Sequence, residues 1–218
     1  MSYAKEKGHF TEKQSRHKQW GNPSETHQWR RFLVRIRRAQ RRRQTNLQGG
    51  GRGDCRVGIL ICSVEEPLGM EDGRIKDERI TASSFWQNDA DYAPPKARLN
   101  TQRRPAAWCN DKTTDDISPW IQVDFNGIVT ITGLITQGRG DSPRQRVEEY
   151  QVTYSEDGQS WNNVTDADGT PIKFPGNKDR NTPVTTHLPF ALRTRILRIH
   201  PTAWNHHCSM RFEVIGCY

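Results

Sequence analysis

From residue 74 onwards, apolar and polar residues alternate with a period of two, between frequent turn signals. The segments WIQVDF, VEEYQVTYS and SMRFEVIG each place their apolar side chains on one face, as a half-buried β-strand requires. Turn pairs such as Asn126-Gly127 and Asp157-Gly158 separate such segments. Many short strands between turns predict an all-β sandwich or barrel. The side chains predicted to face its core are Ile121, Val123, Phe125, Tyr150, Val152, Tyr154, Met210, Phe212 and Val214.

The first 54 residues differ from the rest of the chain in charge. They hold 14 Lys and Arg against 4 Asp and Glu, whereas residues 55–218 hold 19 against 21. The whole-chain net charge of +8 therefore belongs to a tail. For this reason we expect no specific nucleic-acid binding by the folded domain.

Residues 1–54 are predicted to be a basic, mostly disordered tail that ends in a Gly-rich linker. Within it, an amphipathic helix is possible over residues 24–43, because four apolar side chains recur at helical spacing. These are Trp29, Phe32, Leu33 and Ile36. Two interpretations stay open: a solvated tail without a role, or an Arg-rich helix that directs an intracellular protein to an anionic surface or the nucleus.

The strand-poor segment from Ser83 to Asp116 is long for a compact β-domain, and such loops are usually functional or disordered. Its aromatic content favours a functional loop. Catalytic motifs such as a nucleophile elbow or a phosphate-binding Gly loop are absent from the sequence, so we predict a binding protein and not an enzyme. No apolar run is long enough to span a membrane.

Eight segments in order resemble the discoidin domain, also called the coagulation factor V/VIII type C domain. They are CSVEEPLGMEDGRIKDERITASSFW, ARLN, AAWC, WIQVDF, ITGLITQGR, YQVTYSEDGQSW, FPGNKDRN and RILRIHPTAWNHHCSMRFEVIGC. The resemblance covers residues 62–217 and implies a distorted jelly-roll barrel of about eight main strands. It also implies that Trp204 packs beneath the loops at one end of the barrel.

The resemblance further implies a disulfide between Cys62 and Cys217. A second bridge, Cys109 to Cys208, is expected from the cysteine pattern of the discoidin-domain collagen receptors, and Cys55 would remain unpaired. Disulfides imply an oxidising compartment, so we expect an extracellular or cell-surface protein. The sequon at Asn163 is a possible N-glycosylation site. Because no signal peptide is visible, we expect the N-terminus to be incomplete.

Members of this family bind their ligands through loops at one end of the barrel. Aromatic rings, arginines and a histidine pair mark these loops in this sequence. The predicted ligand-binding residues are Phe85, Trp86, Tyr92, Arg103, Arg104, Arg139, Arg144, Arg146, His206 and His207.

In the collagen-binding members, Trp86 corresponds to an aromatic residue that contacts collagen, and Arg139 to an arginine paired with an acidic residue. That acidic position is occupied here by Pro105, after Arg103 and Arg104. We therefore expect the arginine to lack its partner, which favours a cell-surface glycan or an anionic phospholipid as ligand. Two alternatives are a collagen-like matrix protein and an integrin that binds the tripeptide Arg139-Gly140-Asp141.

Some relatives hold a structural calcium ion, and loop carboxylates that could serve as ligands are present in this chain. The spacing of a calcium-binding loop is missing, so we predict no metal ion and no cofactor. The carboxylates concerned are Asp89, Asp91, Asp115 and Asp116.

Overall fold

The computed structural model describes residues 62, 64–112, 118–142 and 144–218. The predicted tail with its helix over 24–43, Cys55, Asp115 and Asp116 lie outside these residues. No helix in the described ranges is long and apolar enough to cross a membrane.

The described part of the chain forms nine β-strands and four short 3-10 helices. The strands are β1 (Glu66–Pro67), β2 (Ile80–Ala82), β3 (Trp108–Cys109), β4 (Ile121–Gln137), β5 (Arg146–Ser155), β6 (Asn162–Asn163), β7 (Phe174–Pro175), β8 (Val184–Asn205) and β9 (Ser209–Cys217). The 3-10 helices span Asp77–Arg79, Trp86–Asn88, Ala90–Tyr92 and Pro94–Ala97.

The strands form an antiparallel sheet in the order β1-β9-β4-β8-β5-β6, and β2, β3 and β7 add to β4, β9 and β5. Strands β4 and β8 are long, and each pairs with more than one neighbouring strand along its length. The pairing of β4 with β8 shifts register between Asp124 and Val129 and again between Ile131 and Gly133. Such bulges bend a strand, so β4 pairs with β2 before the first shift and with β9 after it.

The predicted alternation is confirmed by burial. Seven of the nine side chains predicted to face inward are essentially inaccessible, and Phe125 and Tyr154 are half-buried against the same core. Trp108 also lies wholly inside the core, and its indole N–H donates to the carbonyl of Ser84 at 2.9 Å. The all-β prediction is therefore correct.

Strand β9 is buried on both faces, which its alternating pattern does not indicate. Its polar residues Arg211 and Glu213 are as inaccessible as their apolar neighbours. The Glu213 carboxylate accepts hydrogen bonds from the backbone N–H groups of Met70 at 3.0 Å and Glu71 at 2.8 Å. Burial raises the pKa of Glu213, and these hydrogen bonds oppose the shift. Loop backbone thus covers the polar face of the strand.

The expected disulfide between Cys62 and Cys217 is present, with the two Cα atoms 5.8 Å apart. The second expected bridge is not formed, and Cys109 and Cys208 are both buried thiols. Cys109 pairs with Ser209 across β3 and β9, and the Ser209 hydroxyl lies 3.1 Å from its sulfur. Cys208 belongs instead to the hydrophobic core. Cys109 lies in the wall of a cavity that is described below.

We expect the double variant Cys62→Ser/Cys217→Ser to lose roughly 2–5 kcal/mol of unfolding free energy, since the bridge closes a loop of 155 residues. Urea unfolding followed by tryptophan fluorescence measures this loss. A reducing agent should then leave the double variant unchanged, because Cys109 and Cys208 are not bridged. A further loss on reduction would contradict that arrangement.

Candidate functional site

Side chains from four separate segments of the chain surround a small cavity of about 230 Å³. We call this cavity the trench. It is smaller than most small-molecule pockets, which have volumes of about 300–1,000 Å³, so it suits a single ring-sized group. The residues that line it are Trp86, Tyr92, Cys109, Arg139, Gln145 and His207.

The aromatic wall of the trench comes from the segment of short 3-10 turns between Phe85 and Ala97. The backbone takes left-handed conformations at Gln87 and Asn88, with φ of 51° and 54°, which turns the chain directly after Trp86. The Trp86 ring then meets the His207 ring edge-on, with centroids 5.3 Å apart. Phe85 is half-buried against the hydrophobic core and does not line the trench.

Three neighbouring side chains hold Arg139 in the wall of the trench. Its Nε donates to Asp141 Oδ1 at 2.7 Å and its Nη2 to Asp141 Oδ2 at 3.1 Å, while Nη1 donates to Gln145 Oε1 at 2.9 Å. The guanidinium also lies 5.4 Å from the centre of the Tyr92 ring. Burial tends to lower the pKa of Arg139, but the Asp141 hydrogen bonds outweigh it and raise that pKa. The arginine is therefore a fixed wall of the site.

Asp141 is the acidic partner of Arg139, although the resemblance to the collagen-binding members had led us to expect an arginine without such a partner. Its carboxylate also accepts a hydrogen bond from the backbone N–H of Ala106 at 3.1 Å. Burial tends to raise its pKa, but the Arg139 and Ala106 hydrogen bonds lower the pKa of Asp141 to about 2. The expectation of an unpaired Arg139 was therefore wrong, because the partner comes from two residues along the same loop and not from position 105.

This pairing also makes the tripeptide Arg139-Gly140-Asp141 less accessible to an integrin. Its two charged side chains are 15% and 13% exposed and bind each other. A hydrogen bond from the backbone N–H of Ser142 to the carbonyl of Arg139 closes the turn. A receptor that reads both charges would first have to separate them.

Below the trench, the buried guanidinium of Arg211 ties three loops together. Its Nε donates to the carbonyl of Gly138 at 2.8 Å, its Nη1 to Thr101 at 3.0 Å and its Nη2 to Arg180 at 2.8 Å. Gly140 lies directly against this group, and a Cβ at that position would lie 3.0 Å from Arg211 Nη1. This role was not predicted from the alternating pattern of β9, because an arginine in such a strand is normally expected on the exposed face.

The two predicted histidines behave differently. His207 is buried in the trench wall, and its Nε2 lies 2.8 Å from the carbonyl oxygen of Asn110. Burial lowers the pKa of His207 and raises the pKa of the Cys109 thiol, so both line the trench in neutral form. His206 is exposed, and its carbonyl accepts a hydrogen bond from Lys112 Nζ at 2.6 Å.

The five predicted arginines do not form one cationic rim. Arg139 is paired with Asp141, and Arg146 Nη2 donates to Glu148 at 2.6 Å. Arg103, Arg104 and Arg144 are exposed. Their loops adjoin, because the backbone N–H of Gly140 donates to the carbonyl of Ala106 at 3.1 Å. Three exposed arginines therefore lie on the loops beside the trench, and the charges of the trench itself compensate each other.

The acidic residues considered for calcium are used otherwise where the structure describes them. Asp89 accepts a hydrogen bond from the backbone N–H of Asp91, and Asp91 lies 3.5 Å from Lys96 Nζ. Within the described ranges, no three His, Cys, Asp or Glu side chains are grouped so that they could hold a metal ion.

The fold and the trench together define an antiparallel β-domain with a polar and aromatic cavity between its loops. The family model described as the F5/8 type C domain matches residues 79–214. The chain belongs to the F5/8 type C domain family, as the sequence resemblance indicated.

Two kinds of relative support this assignment. Human coagulation factor VIII is 40% identical over 163 residues, which cover 74% of this chain and 7% of that protein. Pig lactadherin is 36% identical over 167 residues, which cover 74% of this chain and 40% of that protein. The chain thus spans less than half the length of these relatives.

Solved structures show the same fold. Discoidin II of Dictyostelium discoideum is 25% identical with a TM-score of 0.54, and the match covers 63% of this chain and 53% of that one. A family 32 carbohydrate-binding module of C. perfringens NanJ, solved in complex with galactose, has a TM-score of 0.50 at 11% identity. That match covers 70% of this chain and all of the module, and it supports the fold alone.

We expect Asp141→Asn to lower the free energy of unfolding by roughly 1–3 kcal/mol at pH 6, since it removes a charge-assisted pair from a partly buried site. The pKa of Asp141 is below its ordinary value of 3.8, so the contribution is full above that pH. It is lost as the pH falls towards 2. Urea unfolding at pH 6 and pH 2.5 measures both values. An equal difference between variant and wild type at the two pH values would contradict this account.

Proposed function

We propose that this domain is a non-catalytic extracellular module that binds a cell-surface glycan in the trench. The observation that supports this most strongly is the composition of the trench wall. Two aromatic rings, a neutral imidazole, an amide and a charge-compensated arginine surround a ring-sized space. This combination suits the apolar face and the hydroxyl groups of a sugar ring.

The roles of the individual side chains follow from their geometry. Trp86 and Tyr92 are half-buried and offer ring surface to the apolar face of a sugar. The amide oxygen of Gln145 accepts a hydrogen bond from Arg139. This bond fixes the orientation of the Gln145 amide group in the cavity wall. Because Arg139 and Asp141 compensate each other, a neutral sugar does not have to displace a counterion. Such a site is largely formed before the ligand arrives, which lowers the entropy cost of binding.

An extracellular location is supported by the disulfide between Cys62 and Cys217. Such bonds persist in oxidising compartments and are rare in the cytosol. The absence of catalytic motifs from the sequence supports a role in binding.

A second candidate ligand is an anionic phospholipid, and the exposed guanidiniums of Arg103, Arg104 and Arg144 favour it. Each arginine close to a negatively charged membrane surface contributes about 1 kcal/mol to binding. These residues lie on loops beside the trench, so lipid binding would use these loops and glycan binding the interior of the trench. Binding to collagen and binding to an integrin are tested by further arms of the same experiment.

We expect Trp86→Ala to weaken binding of the full chain to its best glycan on an array by tenfold or more, because central aromatic contacts dominate small sites. The matched control is Phe190→Ala, which removes an aromatic side chain 37% exposed and outside the trench. It should bind as the wild type does. Undiminished binding by Trp86→Ala, or no glycan bound at all, would contradict the proposal.

Further arms of the experiment separate the other ligands. Vesicles with and without phosphatidylserine are compared for the wild type and for Arg103→Gln/Arg104→Gln. Preference for phosphatidylserine that the double variant loses, without glycan binding, would assign the lipid function instead. Binding to a triple-helical collagen peptide, or integrin-dependent cell adhesion that Asp141→Glu abolishes, would assign a protein ligand.

A further inference from the structure

A second cavity of about 370 Å³ lies on the outer face of the sheet formed by β6, β5 and β8. We call it the outer groove. Ser118 and Pro119 form part of its border. The sheet residues that line it are Gln151, Thr153, Asn163, His200, Pro201, Thr202 and Trp204.

These residues come from neighbouring strands. His200, Thr202 and Trp204 of β8 all line the outer groove, and the pairing of β8 with β5 shifts register twice between Pro201 and Trp204. Gln151 of β5 pairs with His200. The next outward residue of β5, Thr153, pairs with Asn163 of the edge strand β6. The outer groove therefore runs along the strands, with Asn163 at one end and Trp204 at the other.

Trp204 is 37% exposed at its end of the outer groove. The expectation that it packs beneath the loops was therefore wrong. The indole lines the outer groove and does not belong to the core cluster that contains Trp108. An exposed indole beside polar side chains is a surface on which a sugar ring can stack.

The outer groove has an uncharged lining. Burial lowers the pKa of His200 to about 4, so its imidazole is neutral at physiological pH, and its Nε2 lies 2.9 Å from the Thr153 hydroxyl. The neighbouring cation on β8, Arg198, is covered by two indoles, with its guanidinium 4.0 Å from the Trp120 ring centre and 3.7 Å from that of Trp161. A neutral, hydroxyl-rich occupant fits this surface better than an anion.

Asn163 connects the outer groove to a particular occupant. The triplet Asn163-Val164-Thr165 is the one Asn-X-Ser/Thr sequon of the chain in which X is not proline. Asn163 is exposed, and it lies on a two-residue edge strand that an enzyme can approach. We propose that Asn163 carries an N-linked glycan and that this glycan lies along the outer groove, with its core sugars packed against Trp204.

The attachment requires a polyprenyl-diphosphate-linked oligosaccharide and the transferase of the secretory pathway. A bond forms between Asn163 Nδ2 and the anomeric carbon of the first N-acetylglucosamine. The bond from that carbon to the diphosphate oxygen breaks, the diphosphate leaves with the electron pair, and the amide nitrogen loses one proton. The inference thus rests on the extracellular location in the proposed function, but not on ligand binding by the trench.

The length of the outer groove determines which sugars would meet the indole. From the level of Asn163 to that of Trp204 there are two residue steps along β5 and four along β8. At about 3.4 Å per residue this is about 20 Å. The first sugar would lie beside Thr153 and Gln151, and only later sugars of the core would reach Trp204.

The test expresses the full chain behind a cleavable secretory leader in cultured animal cells. Mass spectrometry of glycopeptides measures occupancy at Asn163, which we expect to be high and absent from Asn163→Gln. The rate of glycan release by a peptide N-glycosidase is then measured on the folded protein. Trp204→Ala should accelerate release several-fold, because the glycan loses its contact with the sheet. Release from denatured protein should be equal for all variants.

Phe190→Ala is the matched control, since Phe190 is as exposed as Trp204 but does not line the outer groove. It should release the glycan at the wild-type rate. Thr202→Val serves as a second groove variant if Trp204→Ala does not fold, and it too should accelerate release. An unoccupied Asn163, or release rates unchanged by both groove variants, would overturn the proposal. Because the leader is supplied, failure of this test would leave glycan binding in the trench unaffected.

Discussion

The buried guanidinium of Arg211 is the interaction on which the loop end of this domain depends. It projects from the polar face of β9 and donates to carbonyl oxygens of three loops, at Gly138, Thr101 and Arg180. A buried cation is costly unless hydrogen bonds replace its water, and here backbone oxygens do so. Gly140 fits against the group because it has no Cβ. The position of Arg139 and Asp141 follows from this arrangement.

The trench lies between the loops that Arg211 holds in place. Because Arg139 and Asp141 are fixed in one turn, they bind each other and leave a compact cavity with aromatic walls and little net charge. The exposed arginines stay outside it, on the neighbouring loops. The two ligand classes that we consider would therefore use different parts of this end of the domain. A sugar would bind inside the trench, where the charges compensate each other, and a lipid headgroup would bind to the exposed arginines beside it.

Much of the fold could be predicted from the sequence, because alternation with period two reports directly which side chains face the core. It could not show that loops cover the polar face of β9, since covering depends on contacts with residues such as Met70 and Thr101 that are distant in sequence. The site was predicted in part: Trp86, Tyr92 and Arg139 do meet. The partner of Arg139 was assigned wrongly, because backbone turn geometry, and not residue type, brings Asp141 to it.

Hydrogen exchange measured on the full chain with Arg211→Met tests the role of this guanidinium, and Arg211→Lys is the variant that keeps the charge. We predict faster exchange in Arg211→Met at the backbone amides of Ala106 and Gly140, which bond across the two loops. Amides of the β4–β8 pair should keep their protection, and Arg211→Lys should lie between the two. Unchanged exchange at Ala106 and Gly140, or an equal loss throughout the sheet, would contradict the central role of Arg211.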